Sequence, residues 1–346
     1  MRIGMTYDLK TVYLSEGHDE EEVAEFDSEE TIDAIEGVLK GLGHEVVRVG
    51  HVKDLVRELT EGRSWDLVFN IAEGLHGLGR EAQVPGVLDA FGIPYTFGDP
   101  LTMALTLDKS MAKRVVRDAG LPTTSFKVIH SLADIKQIDF PYPVFIKPLA
   151  EGTSKGISKD SKAGNEMILE QIARFLLKKG KPLIVEPYLP GREFTVGILG
   201  TGQNAHALGI MEVVMRTSAM DAHNSYSYDV KENYLDLVDY ILPTDIIAQK
   251  AVEYSQAIWR LVRGRDGGRV DFRCDANGEP QFLEVNPLPG LHPVKSDLPI
   301  LGRLVGMDYK AIVTAIFDSA LERMAMPQRK SPFESRRIPE HDENLP

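Results

Sequence analysis

Gly267-Gly268-Arg269-Val270-Asp271-Phe272-Arg273-Cys274 and Pro280-Gln281-Phe282-Leu283-Glu284-Val285-Asn286 flank the short run Asp275-Ala276-Asn277-Gly278-Glu279. Both flanks look like strands, and Asn-Gly between them is the strongest short hairpin signal, favouring a two-residue turn. Such a turn pairs 276 with 279. Counting back, Asp271 faces Glu284 and Arg269 faces Asn286. Residues two apart share a strand face, so Arg269, Asp271, Glu284 and Asn286 line one side. Val270, Phe272, Leu283 and Val285 line the other, the core side. Two carboxylates directly opposite one another repel. A hard divalent cation with oxygen ligands such as Mg²⁺, which usually bridges phosphates, is one way to offset that. A solvated face with Arg269 neutralising one carboxylate is the other. The hairpin alone leaves both open.

Upstream, the chain alternates strands and helices. Strands are expected at 1–7, 45–49, 66–71 and from 93. Helices are expected from Ser28, with Ile32, Ile35, Val38, Leu39 and Leu42 at helical spacing, and at 53–61 and 81–91. Alternation of this kind predicts a parallel, doubly wound α/β sheet. The acidic stretch 8–27 is expected to be a loop. One helix is expected over 102–119. From 124 to 187 short strands surround a helix at 163–178. From 188 to 325 follow strands at 193–199 and 206–215, a polar loop at 216–235, a helix at 244–263, the hairpin and a last helix at 308–324. The expected organisation is therefore an N-terminal α/β domain (1–104), two α+β domains (105–187 and 188–325) and a disordered tail (326–346).

The chain has 346 residues, 43% apolar and 26% charged, with a formal charge of −13. Nine acidic residues fall in 16–30, which has no Lys or Arg, and this cluster reads as a solvated loop. The negative balance argues against non-specific nucleic-acid or anionic-membrane binding. One cysteine, Cys274, excludes a disulfide framework and a Cys-based zinc site. The start MRIGMTYDL reads as a strand, not a signal peptide, and no run of 18 apolar residues occurs. A cytoplasmic protein is expected.

Two further features carry chemistry. The apolar run Pro141-Tyr142-Pro143-Val144-Phe145-Ile146-Lys147 ends in a lysine, followed by Glu151-Gly152-Thr153-Ser154-Lys155-Gly156. Small residues let backbone N–H groups approach an anion; an ordinary turn has the same composition. Lys109 in a helix and Glu186 at a strand end each have a bland reading, as a solvated lysine and an edge carboxylate.

In order and spacing, however, Asp108-Lys109, PVFIKPLAEGTSKGIS (143–158), PLIVEPYLPGREFTVGIL (182–199) and GGRVDFRCDANGEPQFLEVNPLPGL (267–291) together resemble the D-alanine–D-alanine ligase branch of the ATP-grasp superfamily. The resemblance spans about 65–325. It implies that two α+β domains grip ATP, and that two Mg²⁺ (or Mn²⁺) ions are held by Asp271, Glu284 and Asn286. By resemblance, Lys109 and Lys147 contact phosphates and purine, Glu186 and Leu189 the adenine, and Glu193 the ribose. Thr153, Ser154 and Gly156 belong to a loop that closes over phosphates, and Lys231 reaches the γ-phosphate. Arg269 and the N–H of Gly290 stabilise an oxyanion, and Ser296 binds the acceptor's carboxylate. The implied activity is ATP-dependent peptide-bond formation between two amino acids through an acyl phosphate. A homodimer is expected by family analogy.

Three segments depart from that pattern, and all concern the amino-acid substrates. In Asn70–Gln83, His76, Gly77 and Gln83 survive, but the family's acidic run is replaced and an arginine appears. His76 is a candidate substrate residue or a plain loop residue. The N-terminal loop lacks the family's glutamate motif; Glu22 and Glu25 match it poorly. After Tyr226-Ser227-Tyr228-Asp229-Val230-Lys231, Glu232 stands where the family has an aromatic or a histidine that helps choose the second substrate. Altered specificity is the expectation. The alternatives are a ligase for other amino acids or peptides, and a nucleotide-binding regulator without catalysis.

Overall fold

The computed structural model describes residues 1–152, 161–215 and 238–325. The expectations for the 216–235 loop and the 326–346 tail lie outside those residues, apart from the expected helix ends. Three sheets organise the described chain.

The first sheet is parallel, with β1 (Arg2–Thr6) between β2 (Glu45–Gly50) and β3 (Leu67–Asn70). Between β1 and β2 run α1 (Lys10–Ser15) and α2 (Glu29–Gly41); α3 (Val52–Thr60) follows β2, and α4 (Gln83–Phe91) follows β3. Ser28 caps α2 by accepting the Thr31 N–H at 3.4 Å. The helix α1 was not expected in the acidic stretch. It forms because Tyr13 packs on Val23 and Phe26, a tertiary contact that hydropathy along the chain does not reveal. The strand expected from Ile93 reduces to a single bridge between Val68 and Tyr95. Pro94 cannot donate, and Phe97 turns away at φ 71°.

The expected helix 102–119 is two helices, α5 (Pro100–Leu107) and α6 (Lys109–Asp118). Asp108 divides them. Its backbone is extended, and its carboxylate accepts the N–H groups of Ser110 and Met111 at 2.9 and 3.1 Å. That restarts the helix and places Lys109 at its first position. Ala112 and Val116 of α6 pack with Phe194, Val196, Phe272 and Phe282.

The second sheet is antiparallel, in the order β4 (Lys127–Ile129), β7 (Leu183–Pro187), β5 (Val144–Pro148) and β6 (Lys162–Ala163), with α7 (Glu166–Leu177) against it. The third runs β10 (Val238–Ile241), β9 (His206–Met215), β8 (Glu193–Leu199), β11 (Gly267–Cys274) and β12 (Pro280–Asn286). The helix α8 (Ile246–Leu261) packs on it. A short helix that the sequence reading missed, α9 (Asp297–Leu304), precedes α10 (Tyr309–Ala325). The last helix joins the N-terminal core: Ile312, Ile316 and Phe317 cluster with Ile3, Met5, Ile32 and Ile35.

The hairpin keeps the expected facing pairs, Asp271 with Glu284 and Arg269 with Asn286, but reaches them differently. The turn has three residues, closed by a bond from the Asp275 N–H to the Glu279 carbonyl, and Gly278 sits at φ 83°. That puts Cys274 opposite Pro280 and Phe272 opposite Phe282. Leu283 is then an extra residue, a bulge that restores the register at Glu284. Phe282, not Leu283, fills the core position and is fully buried. Beside the hairpin, a Cβ on Gly268 would meet the Asn286 carbonyl oxygen and the Trp259 ring at 2.5 Å, so only glycine fits.

Candidate active site

On the outward face of β11 and β12, Arg269 donates to Asp271, with its Nε 3.7 Å from Asp297. Thr195 on β8 donates to the other Asp271 oxygen at 2.9 Å. The Asn286 amide lies 3.2 Å from Asp271 and 3.5 Å from Glu284. Lys109 reaches across from α6 to Glu284 at 3.2 Å and donates to the Glu151 carbonyl at 2.6 Å.

The two facing carboxylates are driven apart electrically. Burial raises Asp271, and the nearby Glu284 adds to this against the pull of Arg269. Burial also opposes ionisation of Glu284, but Lys109, Arg269 and Lys147 outweigh it and hold its carboxyl well below the usual range. Arg269 stays charged: burial disfavours the cation, and Asp271 and Asp297 more than compensate.

A second group sits at the end of the four-stranded sheet. Glu186 is buried between Lys113 at 2.6 Å and Lys147 at 3.0 Å, and accepts from Thr124 at 3.1 Å. Burial opposes its ionisation, yet the two ammonium groups prevail and bring its carboxyl down to about 2. Lys147 also feels the charges of Glu284 and Glu193, which ties this group to the hairpin. Glu193 pairs with Arg273 at 3.2 Å, and Leu189 is buried. Lys113, Thr195, Asp297 and Arg273 were not picked out from the sequence. For Lys113 a signal existed: it lies four residues after Lys109, on the same helix face.

Arg269, Glu284, Asn286, Lys109, Gly290 and Ser296 all line one chamber of about 560 Å³. Gly290 lies so close to Ser296 that a Cβ would stand 2.8 Å from its hydroxyl. The Ser296 hydroxyl accepts the His292 N–H at 3.0 Å. The far wall comes from the N-terminal unit, through Glu25, Glu73 and Glu81.

His76 is exposed and lines a separate cavity of about 400 Å³; its carbonyl accepts from Gln83 at 2.9 Å. It does not line the chamber that holds Arg269. The acidic stretch is not wholly solvated as expected. Glu25 is buried against Arg80, the arginine that replaces the family's acidic run, at 2.6 Å. Thr153, Ser154, Gly156, Lys231 and Glu232 lie outside the described residues.

Asp271, Glu284 and Asn286 form an all-oxygen donor set suited to a hard divalent cation. No group of three His, Cys, Asp or Glu among the described residues could hold a metal without such an amide. No helix among the described residues is long and apolar enough to cross a membrane.

Residues 115–318 match the family model described as D-ala D-ala ligase C-terminus. The D-alanine–D-alanine ligase of Aquifex aeolicus is 32% identical over 284 residues, 82% of this chain and 92% of that protein. Among solved structures, the D-alanine–D-alanine ligase of Bacillus anthracis complexed with ATP is similar at a TM-score of 0.70 and 19% identity, over 93% of this chain and 98% of that one. The VanG D-Ala:D-Ser ligase of Enterococcus faecalis is similar at a TM-score of 0.70 and 20% identity, over 92% and 99%.

Proposed function

Because this chain belongs to the D-alanine–D-alanine ligase family of ATP-dependent ATP-grasp enzymes, we propose that it joins two amino acids through an acyl phosphate, releasing ADP and phosphate. One observation carries this reading. Arg269 shares a strand face with the oxygen donors Asp271, Glu284 and Asn286, and opens into the same chamber as Gly290 and Ser296. Nucleotide binding alone does not require an arginine at that place.

A carboxylate is a poor electrophile. Transfer of the γ-phosphoryl group of ATP to it makes an acyl phosphate, which the second substrate's amine attacks. Lys109 and Lys147 hold the phosphates; Glu186, Leu189 and Glu193 hold the nucleoside. Mg²⁺ (two ions, or Mn²⁺) held by Asp271, Glu284 and Asn286 supplies charge neutralisation on the phosphates when bound. Arg269 and the Gly290 N–H meet the oxyanion that develops on amine attack. Ser296 orients the acceptor's carboxylate. Thr153, Ser154, Gly156 and Lys231 close over the phosphates and exclude water from the acyl phosphate, while Glu232 and His76 bear on substrate choice.

The nucleotide sits between 105–187 and 188–325, with 1–104 completing the amino-acid side. The enzyme works in the cytoplasm as a homodimer. D-Alanine is the first candidate for both substrates, and the altered substrate segments favour a different partner for one of them. Incubation with ATP, Mg²⁺ and D- and L-amino acids, singly and in pairs, tests the reading by mass spectrometry. The expected result is an amide formed in equal amount with ADP for at least one pair. ADP release with no amide for any pair would refute it.

A further inference from the structure

Arg80 and Glu81 are adjacent on the short 3₁₀ turn Arg80–Ala82, and both are buried. Their partners differ completely. The Arg80 guanidinium donates to the Ala150 carbonyl at 2.7 Å and to Glu25 at 2.6 Å. Glu25 also accepts the backbone N–H of Gly152. The Glu25 carboxylate is therefore committed to tying the N-terminal unit to the strand end that leads into the glycine loop.

Glu81 is only 8% exposed and lines the chamber, yet it makes no hydrogen bond or ion pair among the described residues. Glu73 lines the same wall and has none either. Arg80 and Lys109 act on Glu81 through space. Their donors, however, are taken: Arg80 by Glu25 and Ala150, Lys109 by Glu284 and the Glu151 carbonyl. A buried carboxylate without a donor is costly. Here the missing donor has a place to come from, because the carboxylate faces a cavity. The opposite side of that cavity carries Arg269, Gly290 and Ser296, which suit carboxyl and oxyanion groups. An amino acid lying across it directs its reacting carboxyl toward Arg269 and its cationic end toward Glu81.

On the ligase reading above, we infer that Glu81 and Glu73 form the subsite for an alkylammonium group of the substrate, while Glu25 is a positioning residue held by Arg80. The ammonium is either the α-amino group or one at the end of a side chain.

Calorimetry on the full-length protein with Mg-ADP present separates these sources. Alanine against propionate reads the α-amino group, and lysine against norleucine reads a side-chain ammonium, in both D and L forms where these exist. The wild type is expected to bind the amino compound about tenfold or more tighter in at least one arm, the scale of a charged hydrogen bond. Glu81→Gln is expected to erase that preference and leave nucleotide affinity unchanged. Glu25→Gln is expected to keep the preference while lowering the melting temperature. If Glu81→Gln melts early, Glu73→Gln reads the same wall. A preference that survives in the glutamine variants, equal binding in both arms of the wild type, or Mg²⁺ binding lost in Glu81→Gln would overturn the assignment. Absence of amide formation would sink the ligase reading instead, and leaves the calorimetric comparison decisive for Glu81.

Discussion

Lys113 and Glu186 lie 2.6 Å apart, and neither side chain is more than 5% exposed. They link α6, which packs on the five-stranded sheet, to β7 of the four-stranded sheet. Lys113 also donates to the Phe282 carbonyl at 2.8 Å and to Thr123 at 3.0 Å. One buried ammonium therefore fastens both sheets and the hairpin together. Lys113→Met removes one partner of a buried pair and leaves Glu186 with Lys147 alone. The expected loss is about 3 kcal/mol of unfolding free energy, measured in urea.

The same pair sets an acid limit. The carboxyl of Glu186 stands at about 2 in the fold, against an ordinary value of 4.5. A depressed carboxyl contributes stability that is fully present above its unfolded value and lost as pH falls through its folded one. Stability should therefore fall between about pH 5 and pH 2, through this group by up to about 3 kcal/mol. In Lys113→Met the fall should begin at a higher pH. Urea midpoints taken across that range check both statements.

The bulge makes a sharp distinction between neighbouring residues. Phe282 is fully buried and meets Phe272 edge-on, with ring centroids 6.3 Å apart, while Leu283 is only half-buried. Phe282→Ala should cost about 3–5 kcal/mol, and Leu283→Ala about 1 kcal/mol or less. A regular two-residue hairpin reverses that order, since Leu283 then points into the core.

That hairpin also shows how far the sequence could be read. Pairing Asp271 with Glu284 was legible from Asn277-Gly278 and strand alternation, but two departures cancelled: a turn longer by one residue and a bulge at Leu283. Neither has a local signature strong enough to find. Strand β8 and strand β9 were legible to the residue because apolar runs end at clear turn signals. The break at Asp108 was not, because apolar spacing continues across it. Lys113, Thr195 and Asp297 join the site only through tertiary packing, as does the Glu25–Arg80 pair that brings the acidic stretch against the chamber. The substrate end was the least readable part, since it depends on how an N-terminal loop meets a C-terminal sheet.

The role of Arg269 is the central claim, and amino-acid-dependent ADP formation by the wild type and by Arg269→Ala tests it most directly. With the best substrate pair, removing the oxyanion donor should lower kcat about 10²–10³-fold while nucleotide binding is retained. Undiminished turnover in Arg269→Ala, or ADP formation that ignores added amino acids, would contradict the account.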